Sequence, residues 1–402
     1  MKVNSKFEYC LLFFSGFIAL STFANVILDK IGLYFIEILL IPLILYYHQK
    51  KGILNYLFYL RYMTKGELVL FSLTVCSILI GIITTRNIFA VVTCIRPFLY
   101  ILILIKLIQD SGIIIPVTKL YTLALGITLG DFVYARFLSA FAYANGYQHI
   151  NIIAVALIII IPLLLNNRLL FCASISFAIV LSVSSGYRIN ILIVFVALIS
   201  TVCYLILTSQ SLKYKAKYII IALLIFYAII WIVSNIQFVS SFLATKLHLS
   251  EATIYRSFDR IIGLLNSELT LGDKERLKAF LTPFSNFTKS MIPVGPIGKT
   301  NLSHFGSYTD VPILFFYDIY GSVLTWILLV GVAFFAINRI FSIMRNNERT
   351  VNQSLFVCMI PVVATLFILN GTFLTFVHIA IVCGLTLGGS SNSYDRHYSF
   401  RV

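Results

Sequence analysis

Charged residues are scarce in this sequence: only 11% of its 402 residues are Asp, Glu, Lys or Arg, whereas 60% are hydrophobic. Soluble domains carry about 25% charged residues, so this composition excludes an ordinary soluble fold, and the mean hydropathy of +0.97 excludes disorder. The apolar runs have helical length and lack the short alternation of a membrane β-barrel. Because helices satisfy their own backbone groups inside lipid, we predict an all-α, polytopic membrane protein.

Motifs of cofactor and metal chemistry are missing. The sequence contains no P-loop, no Rossmann glycine pattern and no HExxH pair, and segment 238–312 contains no DxD. None of the seven cysteines forms a CxxC pair, which predicts small buried apolar side chains and neither a disulfide framework nor a zinc site. We therefore expect no metal and no cofactor.

Acidic residues are outnumbered: 30 Lys and Arg stand against 15 Asp and Glu, which gives a net charge of +15. In a membrane protein this excess belongs first to cytoplasmic loops, so no nucleic-acid partner is expected. The apolar runs predict about twelve spans, the first of which is retained as a span. They lie near 7–28, 31–47, 68–83, 88–108, 114–135, 150–165, 169–183, 189–208, 218–237, 313–338, 354–369 and 372–389.

The topology follows from three basic stretches, 48–67, 209–217 and 339–350. With this number of spans and a cytoplasmic N-terminus, all three stretches are cytoplasmic, as the positive-inside rule requires. The predicted organisation then has three regions. They are N-terminal membrane helices in about nine spans (1–237), a large periplasmic loop with short amphipathic helices (238–312), and C-terminal membrane helices with a short cytoplasmic tail (313–402).

The loop 238–312 is predicted to fold as a cap on the membrane surface. Ser250 followed by Glu251 is typical of a helix start. Arg256 and Arg260 lie four residues apart and are predicted on the face opposite the apolar residues of this helix. The apolar residues that recur at helical spacing are Ile254, Phe258, Ile261, Ile262 and Leu265.

Cations at the outer face predict a site for an anion. Arg188 follows Ser184-Ser185-Gly186-Tyr187 between two spans, and the loop adds Arg256, Arg260 and Arg276. The planar fork of arginine donates two parallel hydrogen bonds and suits phosphate. Two alternatives stay open: Arg188 anchors the end of its span by snorkelling, and the loop arginines form a solvated face with local ion pairs, such as Arg256 with Asp259.

Three further residues are candidates for proton transfer or substrate binding: His304, Asp310 and Asp318. Histidines and carboxylates are the usual general bases, and an acidic residue inside a span is expected to be functional. The alternatives are a polar surface histidine at His304 and, for Asp318, a structural ion pair with Arg or Lys in a neighbouring helix.

The layout resembles the bacterial O-antigen polymerase (Wzy) family, within the wider superfamily of O-antigen polymerases and ligases. The resemblance rests on about twelve spans, one large outer loop late in the chain, and several short stretches. These stretches are Ser184–Asn190, Glu275–Phe280, Pro293–Gly298, and Asp310 followed by Phe315–Gly321.

The resemblance implies a GT-C-type glycosyltransferase fold in the bacterial inner membrane. Its substrates would be two oligosaccharides linked to undecaprenyl diphosphate, which is released from one of them as the glycosidic bond forms, without metal or nucleotide sugar. Arg188 and Arg276 would bind the diphosphate, and His304 or Asp310 would accept the proton of the attacking hydroxyl. Arg276, His304 and Asp310 are thus the expected catalytic residues. Further expected substrate-binding residues are Tyr187, Arg256, Arg260 and Asp318.

Other functions share parts of this pattern. An O-antigen ligase, which transfers the glycan to lipid A–core, has the same layout. A lipid-linked oligosaccharide flippase has similar length and span number, but its charges line a central cavity, whereas charges within these spans are few. Besides membrane lipids, the implied partners are a chain-length regulator and the flippase of the same pathway.

Overall fold

The structure is a computed structural model that describes most, but not all, of the chain. It covers residues 5–21, 65–92, 116–138, 154–165, 167–209, 211–266, 312–346 and 351–369, with isolated positions 95, 99, 274, 277, 278 and 281. Within these residues the chain is helical and has no strand, so the all-α prediction is confirmed for them. The helices are α1 Ser5–Phe14, α2 Lys65–Thr85, α3 Val117–Val133, α4 Val155–Ile160, α5 Arg168–Ser185, α6 Arg188–Leu207, α7 Leu212–Ser234, α8 Ile236–Leu247, α9 Glu251–Leu265, α10 Pro312–Asn346 and α11 Val351–Leu369.

In the described part of the chain, four helices are long and apolar enough to cross a membrane: α5, α6, α7 and the portion Phe316–Ser342 of α10. Shorter apolar helical segments lie within α2 and α11, and another consists of α4 and the helical turn Ile161–Leu164 that follows it. The prediction of a helical membrane protein is confirmed at this level. The predicted spans 31–47 and 372–389, and most of 88–108, lie outside the described residues, so the number of spans stays a prediction.

The helix that contains the ninth predicted span begins before the span does. The apolar run near 218–237 is expected to follow a cytoplasmic loop at 209–217, but α7 already begins at Leu212 and ends at Ser234. Lysine is a good helix former, and its long side chain reaches water from the end of a span. The basic stretch therefore forms the first turns of the helix, because backbone helicity does not require apolar side chains.

Helices α1 and α3 pack together near their starts through polar contacts. The Lys119 ammonium pairs with the Glu8 carboxylate, and the Tyr9 hydroxyl oxygen lies 3.1 Å from Thr118 Oγ1. Lys119 is one of the few charges inside a predicted span, and this ion pair compensates it.

Farther along, glycines bring the same two backbones close together. A Cβ at Gly16, which lies in the π-helical turn that extends α1, would overlap the Leu123 carbonyl oxygen. A Cβ at Gly126 would likewise overlap the Phe13 carbonyl oxygen. Small residues are the usual means of close helix packing in membranes. Because successive contacts advance along both chains together, α1 and α3 are parallel.

The largest apolar core lies between α3, α4, α5, α6 and α11. Helix α4 is central, because every residue from Val155 to Ile160 is buried. Residues of α6 and α11, such as Val194 and Val362, pack into the same cluster. Burial on all sides explains why the sequence of α4 is apolar throughout.

Helix α11 fixes how α6 and α10 are placed along the bundle. Tyr204, near the end of α6, clusters with Cys358 of α11 and with Ile340, near the end of α10. At the other end of α11, the Phe367 ring packs on Phe316 with centroids 5.4 Å apart. Helices α6 and α10 therefore begin at the same end of the bundle.

Helix α10 is interrupted at Gly321, whose backbone angles (φ 74°, ψ 165°) are not helical. This combination is open to glycine and strained for other residues. Thr325 Oγ1 lies 2.7 Å from the Gly321 carbonyl oxygen and 2.9 Å from that of Phe316, so its hydroxyl bridges the break. The Tyr320 hydroxyl oxygen lies 2.9 Å from Thr74 Oγ1 and ties the break to α2.

The prediction of buried cysteines is wrong for most of those that the structure describes. All of them are free thiols, and Cys358 alone among them is buried. An apolar sequence environment does not show burial in a membrane protein, because lipid is as apolar as the interior. The exposed cysteines are Cys10, Cys76, Cys172 and Cys203.

Candidate functional site

The turn between α5 and α6 has a defined backbone held by its own side chains. Gly186 ends α5 in the left-handed conformation (φ 69°), which glycine adopts without strain. The Ser185 hydroxyl donates to the Ser182 carbonyl oxygen at 2.7 Å and accepts from Asn190 Nδ2 at 3.0 Å. These bonds fix the place where α6 starts, and Tyr187 immediately precedes it.

Arg188 is the first residue of α6, which is an unusual place for a cation. The N-terminus of a helix carries partial positive charge, so a cation there is unfavourable unless an anion compensates both. In the structure the anion is Asp259 of α9, whose Oδ2 lies 3.1 Å from Arg188 Nε. Neither partner is buried: the side chains are 37% and 29% exposed, respectively.

Helix α9 is the amphipathic helix that the sequence predicts in the outer loop. Its predicted start is confirmed, because the Ser250 side chain caps it by accepting a hydrogen bond from the Thr253 amide. The predicted apolar face is also confirmed for Ile254, Phe258 and Ile261, which are buried. They form one apolar cluster with residues of α5, α6 and α7.

Helix α9 docks directly on the turn between α5 and α6. The Ser257 hydroxyl donates to the Val183 carbonyl oxygen at 3.0 Å, across 74 residues of sequence. At Gly186 an added Cβ would lie 2.9 Å from Thr253 Cγ2, so this threonine side chain would have to shift. The turn and α9 thus form one packed unit, with Arg188 and Asp259 at its edge.

The predicted polar face of α9 is wrong in part. Arg256 is exposed as expected, but Arg260 is buried, with only 6% of its surface exposed. Helix α9 contacts α8 as well as α5 and α6, so more of its circumference is covered than its apolar stripe indicates. Arg260 is therefore buried where α9 packs and is not on a solvated face.

The local ion pair considered for the loop, Arg256 with Asp259, is also wrong. Asp259 pairs with Arg188, which lies 71 residues earlier in the chain. The sequence contains no signal for this pair, because neither spacing nor periodicity links residues of two distant helices. The position of Arg188 at a helix start indicates that it needs an anion nearby, but it does not indicate which residue supplies that anion.

Asp318 lies in α10, just before the break at Gly321, and is 2% exposed. Its Oδ1 is buried and has no hydrogen-bond partner among the described residues. The alternative of a structural ion pair with a neighbouring Arg or Lys is not found there. Since α6 and α10 begin at the same end of the bundle, Asp318 lies at the end that carries Arg188.

The remaining predicted site residues are only partly placed. The three expected catalytic residues, Arg276, His304 and Asp310, lie outside the described residues. Tyr187 is half-buried at the start of α6. No group of three or more His, Cys, Asp or Glu side chains that would hold a metal occurs in the part of the chain that the structure describes.

A scan against protein-family models, a search of curated proteins and a search of solved structures each give no match for this chain. The resemblance to O-antigen polymerases therefore stays a prediction. What the structure adds is the arrangement at one end of the bundle: a span-end arginine, a docked amphipathic helix with further arginines, and a buried carboxylate.

Proposed function

We propose that this protein is an O-antigen polymerase of the bacterial inner membrane, with the GT-C-type fold and about twelve spans. It would join oligosaccharide repeat units carried on undecaprenyl diphosphate at the periplasmic face and release undecaprenyl diphosphate. The observation that supports this most directly is the position of Arg188. It lies at the end of a candidate span, beside a docked amphipathic helix, where the headgroup of a lipid diphosphate would lie.

The physical chemistry of that substrate fits this position. A lipid diphosphate keeps its charge at the membrane surface and its chain in the bilayer. Arg188 and the positive end of α6 both attract an anion, and arginine stabilises the charge that develops on a leaving diphosphate. Arg256, exposed on α9, adds a second cation within the same packed unit.

Proton transfer belongs to a separate set of residues in this proposal. His304 or Asp310 would accept the proton of the acceptor hydroxyl, and Arg276 would bind the diphosphate together with Arg188. The chemistry needs no metal, because the leaving group is already a stable anion that cations of the protein bind. Tyr187, at the start of α6, would contact the substrate beside the diphosphate.

Gene deletion followed by gel analysis of lipopolysaccharide tests the proposal. We expect the deletion strain to lose the ladder of long chains while keeping core that carries a single repeat unit. Restoring the ladder requires the wild-type gene, and the Arg188→Ala variant should fail to restore it although it inserts normally in the membrane.

The same gel separates the alternatives. Loss of every repeat unit from the core would indicate an O-antigen ligase or a flippase and would contradict the polymerase. An unchanged ladder would contradict all three functions. If every repeat unit is lost, accumulation of lipid-linked repeat units on the cytoplasmic side would indicate a flippase and not a ligase.

A further inference from the structure

We infer that Asp259 is an internal competitor for the anion that binds Arg188. Its carboxylate Oδ2 lies 3.1 Å from the guanidinium Nε of Arg188. It also lies beside the start of α6, where the helix dipole favours negative charge. The negative charge of Asp259 therefore lies where the charge of a diphosphate would lie. An incoming ligand has to displace Asp259 or share Arg188 with it.

The ion pair between Arg188 and Asp259 can open while α9 stays docked. Helix α9 is held by its apolar face and by the Ser257 bond to the Val183 carbonyl, neither of which involves Asp259. Both charged side chains are partly exposed, so each has room to rotate. Opening the pair is then a side-chain movement that leaves the packed unit in place.

The strength of the pair suits exchange with a ligand. An exposed ion pair changes an equilibrium by about fivefold at most. A diphosphate carries more negative charge than one carboxylate and binds arginine with two parallel hydrogen bonds, so it displaces Asp259. When the diphosphate dissociates, Asp259 pairs with Arg188 again and lowers the affinity for the departing product.

For a polymerase, this competition between Asp259 and the diphosphate controls the rate of product release. Asp259 acts through Arg188 and touches no reacting atom, so it is a positioning residue. The ligand class rests on the proposed function, in which undecaprenyl diphosphate is the product. Without Asp259 the product is held more tightly, and each cycle takes longer.

Binding of inorganic pyrophosphate to the purified full-length protein in detergent, measured by calorimetry, tests the inference without any polymerisation. We expect Asp259→Asn to bind about two- to fivefold more tightly than wild type. Arg188→Ala should weaken binding by far more than about fivefold and make the two backgrounds equal, because Asp259 competes only for Arg188. Glu251→Gln, which removes the same charge at the exposed start of the same helix, is the matched control and should bind as wild type does.

Two further variants keep the result interpretable. Asp259→Glu retains the competing charge and should restore wild-type affinity, whereas a purely structural role of Asp259 predicts no such rescue. If Asp259→Asn melts at a much lower temperature, the comparison is made with Asp259→Ser. Unchanged or weaker pyrophosphate binding in folded Asp259 variants overturns the inference.

The outcomes separate this inference from the proposed function. In a polymerisation assay with synthetic lipid-linked repeat units, Asp259→Asn should be more strongly inhibited by added undecaprenyl diphosphate and should have a lower kcat. If pyrophosphate binds as expected but no polymerisation occurs, Asp259 is a competitor in a protein of another function. If pyrophosphate does not bind through Arg188, the inference is wrong whatever the polymerisation assay gives.

Discussion

Asp318 is a carboxylate placed in a candidate span at a cost in stability. Burial removes its hydration, and no described group replaces it. We expect Asp318→Asn to raise the free energy of unfolding by about 1–2 kcal/mol, because the neutral amide loses less on burial. Thermal denaturation in detergent measures this change.

Asp131 is the matched control for Asp318. Asp131 is also 2% exposed but, unlike Asp318 within the described residues, it interacts with another group of the chain. Asp131→Asn should therefore leave stability unchanged or lower it. A loss of stability in Asp318→Asn as well would contradict the expectation. A gain in stability together with a loss of polymerisation would identify Asp318 as a residue kept for function.

Single residues also show where sequence reasoning ends. The cap at Ser250 and the buried positions Ile254 and Phe258 follow from local rules, because capping and periodicity act within one helix. The burial of Arg260 and the pairing of Asp259 with Arg188 do not. Both depend on the helices that α9 packs against, α5, α6 and α8, and the sequence of α9 does not specify them.

At the scale of elements, the fit of α9 on the turn between α5 and α6 depends on Gly186. We expect Gly186→Ala to destabilise the packed unit by at least about 1 kcal/mol, because alanine is strained at this positive φ and its Cβ would meet Thr253 Cγ2. Adding Thr253→Ser removes that methyl group and keeps the hydroxyl. The double variant should recover part of the loss, as measured by thermal denaturation and by protease cleavage within 251–265. No recovery would show that strain alone accounts for the effect.

The contact between α1 and α3 gives a second prediction for an element. Gly126→Leu should lower the free energy of unfolding by about 1–3 kcal/mol, because the side chain would force the two backbones apart. Gly331→Leu is the control, since nothing lies within 4 Å of a Cβ there. Its midpoint in a detergent melt should be equal to or above that of wild type. Equal effects of both substitutions would contradict the close packing.

The sequence predicts which segments form apolar helices, but it does not predict which face of each helix is buried. The runs near 169–183 and 189–208 correspond to α5 and α6 within one or two residues. Their buried faces were not predictable, because a span is apolar on all sides and its periodicity carries no signal. The cysteines show the same limit, since four that lie in apolar runs face outward.

At the scale of the whole molecule, the predicted topology places α9 and the start of α7 on opposite sides of the membrane. Single cysteines at Ser211 and Glu251, which are both exposed, should react with a membrane-impermeant thiol reagent from opposite sides. The background must lack the exposed native cysteines described above. Glu251 should be labelled in intact spheroplasts and Ser211 only after lysis. Labelling of both in intact spheroplasts would overturn the orientation and, with it, a periplasmic site.

The parallel pairing of α1 with α3 has a consequence for how the molecule is made. Glu8 and Lys119 are 111 residues apart, and a ribosome adds about 5–20 residues per second. The first helix therefore waits roughly 6–20 s in the bilayer before its partner is synthesised. During that time its glycine face and its carboxylate lack the partners that α3 provides in the folded protein. Until Lys119 is synthesised, water, lipid headgroups or the insertion machinery provide the contacts of Glu8.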